Sequence, residues 1–143
     1  MKYTALILVL LISFSYAYVK MTHSNGKDVL DELQGGNHNT YVILFVAGAT
    51  EGTGLANRNN DYEENLIKKV LNNYEKFHYT KIDARDKNYD SLIKATGISV
   101  GELQKAPSIL IMEHGNGSWI HGPEAISKIS EYAQVYNKRS SSA

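Results

Sequence analysis

The chain has 143 residues, no cysteine, and 15 basic against 15 acidic side chains. That length suits one compact domain with an ordinary core rather than two. The balanced charge argues against a nucleic-acid partner, and the missing thiol excludes thiol–disulfide chemistry outright.

Taken in chain order, Lys2 precedes an apolar run from Ala5 to Ile12, and the small residues Ser15 and Ala17 follow. This is the layout of a secretory signal peptide over residues 1–17, cleaved after Ala17. The run falls short of the ~20 residues that span a bilayer, so membrane contact is expected only if the segment stays uncleaved as an anchor. The expected address is the endoplasmic reticulum lumen or the exterior. One domain is expected over residues 18–137 and a disordered polar tail over 138–143, which does not end in a KDEL-type signal. In a secreted chain, Asn116-Gly117-Ser118 is a glycosylation sequon at Asn116.

A short strand near Tyr18 to Met21 leads into a helix from Asn25 to Gln34, with Val29, Leu30 and Leu33 on one face. "TYVILFVA", Thr40 to Ala47, reads as a strand buried on both faces. The glycine-rich "GATEGTGLA" follows, and then a helix capped by Asn60 or Asp61, with Leu66, Ile67, Val70, Leu71, Tyr74 and Phe77 at helical spacing. Phe77 to Ala84 alternates as a second strand, and Asp90 caps a short helix that Gly97 ends. Ser108 to Glu113 is a strand, Asn116-Gly117 is the expected two-residue hairpin turn, and Ser118 to His121 returns antiparallel. Gly122-Pro123 opens the last helix with proline in its first position, followed by Ile126, Ile129, Ala133 and Tyr136. A βαβ half joined to a ββα half specifies an α/β domain with a mixed central sheet and helices on both faces.

Three stretches carry a resemblance: "VILFVAGAT", "IDARDKNYDSLIKATGIS" and "APSILIMEHGNGSWIHG". In their order and spacing the chain resembles the thioredoxin fold, a βαβ–ββα three-layer sandwich, and within it the non-catalytic domains of the protein disulfide isomerase family. The resemblance aligns Phe45 and Ala47 with that family's Phe-x-Ala. It thereby sets Thr50-Glu51-Gly52-Thr53 where active members have Cys-x-x-Cys. A threonine hydroxyl neither attacks a disulfide nor resolves a mixed one at physiological pH. Ala49 stands where an aromatic residue is usual, and Leu44 where some catalytic members bury an acid. The resemblance therefore implies the scaffold without the oxidoreductase activity. It also implies a cis bond before Pro107, with unpaired backbone at Ala106 open to an extended ligand. The expected function is a redox-inactive module that binds a protein or extended peptide through Ala49, Thr50, Glu51, Ala106 and Pro107, beside the Ile98 to Leu103 loop. No catalytic residue, cofactor or metal is expected.

An alternative is an NAD(P)-binding Rossmann-like protein, because "GATEGTG" after an apolar strand resembles the dinucleotide loop of atypical short-chain dehydrogenases. Against it stand a helix whose apolar spacing starts only at Leu66, and the hairpin near the end of the chain. An Asn116-Gly117 turn sets His114 opposite Trp119 and His121 opposite Met112, so the two histidines form no evident metal pair. No Ser-His-acid set follows from spacing, and Asp83 with Asp86 reads as a strand end and a solvated loop.

Overall fold

The computed structural model describes residues 18–48 and 53–142. Its strands are β1 (Val19–Lys20), β2 (Thr40–Val46), β3 (His78–Asp83), β4 (Ser108–Glu113) and β5 (Asn116–His121). Its helices are α1 (Gly26–Leu33), α2 (Gly54–Lys69), α3 (Asp90–Thr96), α4 (Val100–Leu103) and α5 (Ala125–Ser142). One sheet runs in the order β1-β3-β2-β4-β5, with β3 parallel to β1 and β2, β4 antiparallel to β2, and β5 antiparallel to β4.

Every residue of β2 is buried, and the strand's two-residue period divides its side chains between two cores. Val42, Leu44 and Val46 meet Leu66 and Val70 at the end of α2, and Ile126, Ile129 and Ala133 of α5. Tyr41, Ile43 and Phe45 meet Val29 and Leu33 of α1, and Leu92 and Ile93 of α3. This is the three-layer arrangement expected from the order of elements. The dinucleotide alternative needs further parallel βα units; β4 and β5 are antiparallel instead, so it has no support. Among the described residues no helix is long and apolar enough to cross a membrane.

The fold departs from expectation at several points. First, α2 begins at Gly54 with Thr53 as its cap, not at Asn60 or Asp61. Its first turns bury Asn59 and no large apolar side chain, so apolar spacing is silent there. The helix also stops at Lys69, and Leu71–Asn73 continues as a 3₁₀ turn that lets Tyr74 stack on Phe77 at 4.6 Å. A helix starting at Gly54 is compatible with a dinucleotide loop, whereas the antiparallel β4 and β5 are not.

Second, the hairpin turn is His114-Gly115, with φ of 53° and 75°, rather than Asn116-Gly117. Positive φ at both central residues is what a type I′ turn requires. The observed register sets Ile120 opposite Ile109, Trp119 opposite Leu110 and His121 opposite Ser108. The Asn-Gly alternative would shorten the ladder and set Ile120 against the carboxylate of Glu113. Third, Gly122, Pro123 and Glu124 form a turn ahead of α5, whose Ala125 N–H donates to Gly122 O at 3.2 Å. The helix then runs to Ser142 and takes in residues 138–142, which the sequence placed in a tail. Lysine and arginine near its end suit the helix dipole. Fourth, no cis peptide bond occurs among the described residues, so the bond before Pro107 is trans.

Candidate functional site

The region of interest is the carboxyl end of β2 with the segment leading into β4. Ala49, Thr50, Glu51 and Gly52 lie outside the described residues. Thr53, at the second cysteine position of the resemblance, accepts a hydrogen bond from Ala56 N at 3.3 Å and caps α2. Such a cap stabilises a helix by about 1 kcal/mol.

The loop is anchored on both sides. Asp83 Oδ1 accepts from Gly48 N at 2.8 Å and from Arg85 N at 2.9 Å, while Arg85 Nη1 donates to Gly48 O at 3.1 Å. A Cβ on residue 48 would collide with the Asp83 carboxylate, so glycine is needed there for close approach. Asn59 is buried and donates through Nδ2 to Ala47 O at 3.2 Å. Arg58 donates to the carbonyls of Leu103, Gln104 and Lys105 at 3.4, 2.9 and 2.6 Å, tying α2 to the chain before Pro107. A cavity of about 220 Å³ is lined by the polar side chains of Asn59, Asn60, Lys81 and Asp83 and by Val46, Ala47 and Ala56.

Pro107 is buried and Ala106 half-buried. The Ala106 N–H is not free as expected: it donates to Glu102 O at 3.3 Å, because α4 occupies part of the loop assigned to Ile98 to Leu103. Pro107 O accepts from Gly122 N at 3.4 Å.

The corrected register brings together residues that spacing had kept apart. Ser108 Oγ is 3.0 Å from His121 Nδ1, and His121 Nε2 is 3.9 Å from Glu102 Oε2. Ser108 is only 1% exposed, so its hydroxyl is closed to a substrate. The set therefore fastens the end of β5 to α4 and β4 and is no hydrolytic triad.

Two other features escaped the sequence. β5 is an edge strand with no charged residue, and its Trp119 is 47% exposed. Trp119 borders a cavity of about 400 Å³ lined by Leu30, Leu33, Leu110 and Met112, among others. Asn116, the sequon residue, is exposed at the start of this strand and lines the same cavity. Elsewhere, the buried Tyr79 hydroxyl donates to Glu63 Oε2 at 2.7 Å. Burial first, and that carboxylate second, hold its pKa above the usual tyrosine value. Burial pushes Tyr62 up to about 12, and its hydroxyl donates to Gly122 O at 3.1 Å.

No protein-family model and no curated protein sequence matches the chain. Solved structures do. Thioredoxin f from spinach chloroplast, in its short form, superposes with a TM-score of 0.59 at 15% identity, covering 84% of this chain and 93% of that one. Thioredoxin from Trypanosoma brucei brucei gives 0.60 at 12% identity, with 87% and 96% covered. Oxidised thioredoxin O2 from Arabidopsis thaliana gives 0.58 at 16% identity, with 85% and 99% covered. At such identities the likeness speaks for fold alone, and the chain has a thioredoxin-like α/β fold with a mixed five-strand sheet and helices on both sides.

Proposed function

We propose that the chain is a redox-inactive thioredoxin-like module of the secretory pathway, akin to the non-catalytic domains of the protein disulfide isomerase family, that binds a protein or extended peptide. One observation carries the loss of chemistry: a chain without cysteine uses Thr53, at the second thiol position, as a helix cap. The secretory address rests on Lys2, the apolar run from Ala5 to Ile12 and the small residues Ser15 and Ala17.

For binding, Gly48, Ala106 and Pro107 remain the first candidate surface, together with Ala49, Thr50 and Glu51. With the Ala106 N–H already used, that surface offers fewer backbone partners than the family pattern implies. The β5 edge supplies what is missing. A strand without charges and a half-exposed tryptophan over an apolar cavity suit an extended peptide carrying an apolar side chain.

Titrating an unfolded apolar peptide into ¹⁵N-labelled protein should shift the amides of Gly117 to His121, and those of Gly48, Thr53 and Ala106 if both surfaces are used. A spectrum unchanged at both places would sink the binding reading. Insulin reduction above the buffer control would overturn the redox-inactive one.

A further inference from the structure

Thr40 and Glu113 face each other across β2 and β4, at the opposite end of the sheet from Pro107. They are 3% and 7% exposed, and neither Thr40 Oγ1 nor Glu113 Oε2 has a hydrogen-bond partner. A carboxylate withdrawn from water with one oxygen unmet is destabilising unless a cation answers it. Its other oxygen, Oε1, lies 3.4 Å from His114 Nε2. That nitrogen in turn lies 3.1 Å from His38 Nδ1, on a residue 76 positions earlier.

The two imidazoles meet edge to face, with centroids 4.6 Å apart and planes at 79°. The 3.1 Å separation is that of an N–H···N hydrogen bond, and two nitrogens on one tetrahedral zinc at about 2.0–2.1 Å stand roughly 3.3 Å apart, so an ion would displace the shared proton with little change in spacing. Both loops are held in advance. Asn39 N donates to Asn37 Oδ1 at 2.9 Å, and Asn37 Nδ2 donates to Tyr41 Oη at 2.9 Å, which fixes the segment around His38. His114 is set by its own tight turn, in a left-handed conformation that non-glycine residues adopt uncommonly. Both histidines are exposed, which leaves an ion an open route to the buried carboxylate.

We propose that His38 Nδ1 and His114 Nε2, with Glu113 as third ligand, form a site for a borderline divalent transition ion such as Zn²⁺, with water as the fourth ligand. As they stand, no three His, Asp or Glu side chains among the described residues are placed to hold a metal ion, this trio included. Loading the ion therefore requires the Glu113 carboxylate, whose Oε1 already lies 3.4 Å from His114 Nε2, to turn until one of its oxygens reaches the metal. Two nitrogens and one oxygen suit zinc, copper or nickel rather than magnesium or calcium. The site does not depend on the peptide-binding reading.

Calorimetric titration of ZnCl₂ into the full chain, purified without a polyhistidine tag, should show one saturable equivalent, and MgCl₂ should show none. His38→Gln and His114→Asn should each weaken zinc binding tenfold or more; asparagine keeps the left-handed turn, so the second variant separates ligation from folding. Glu113→Gln should raise the melting temperature of the metal-free protein while shrinking the zinc-induced increase. Absence of saturable binding, equal response to magnesium, or affinity unchanged in any of the three variants would overturn the proposal.

Discussion

The two ends of the sheet treat their polar groups in opposite ways. At the carboxyl end of β2, Asp83, Arg85, Arg58 and Asn59 each bind backbone, and Thr53 caps a helix. The atoms left unmet there, Arg58 Nε and Asn59 Oδ1, belong to side chains otherwise engaged in fastening the loop. At the hairpin end, by contrast, the unmet atoms are Thr40 Oγ1 and a carboxylate oxygen, Glu113 Oε2, with two histidines nearby. At the first end the polar side chains are spent on fastening backbone; at the second a buried carboxylate oxygen is left unmet beside two exposed imidazoles.

Asp83→Ala should break the contrast most severely, because it removes the one acceptor that two backbone donors, Gly48 N and Arg85 N, share. Charged hydrogen bonds are worth about 1.5–3 kcal/mol each, so the urea midpoint should fall by the equivalent of about 2–3 kcal/mol. A loss below ~1 kcal/mol would mean that water replaces the clasp. Thr53→Ala should be milder, about 1 kcal/mol, through the lost cap. Thr53→Asn should restore most of it, and no rescue would remove the capping role.

The smallest effect belongs to the hairpin end and is one of pH. His78 lies across from Tyr41 with ring centroids 5.2 Å apart, and burial lowers its pKa from the usual histidine value, against a weaker opposing pull from Glu32. The unfolded chain therefore takes up the proton first, near pH 6.5. The contribution of His78 is complete above that pH and is lost as the pH falls toward the lower folded value. Denaturant midpoints measured from pH 7.5 to 5 should drop less steeply in His78→Gln than in the unaltered chain. Parallel curves would assign the acid sensitivity elsewhere.

Much of the fold was legible because its signals are local. β2 announced itself by a run of apolar and β-branched residues, and α1 by Val29, Leu30 and Leu33 on one face, while Asn25 proves to be its cap, with Oδ1 accepting from Asp28 N at 3.0 Å. The start of α2 was not legible, since Arg58 and Asn59 reach carbonyls where a helix usually buries apolar side chains. The hairpin misled for a related reason. Asn116-Gly117 is the stronger turn signal by itself, but a longer ladder and the apolar pairs Ile109–Ile120 and Leu110–Trp119 select His114-Gly115. Ser108 and His121 became neighbours only through that register, and His38 and His114 through the pairing of Thr40 with Glu113 across β2 and β4.

By itself the sequence determined the order of helices and strands, the buried central strand, and the loss of thiol chemistry, because periodicity, caps and the absence of a residue type act within a few positions. The tertiary structure decided where the hairpin turns, that Thr53 caps a helix, that the Ala106 N–H is occupied, and that His38 meets His114 beside Glu113. Those outcomes depend on strand register and on carbonyls presented by distant segments, and both follow from how the sheet buries its two faces rather than from any local preference of the chain.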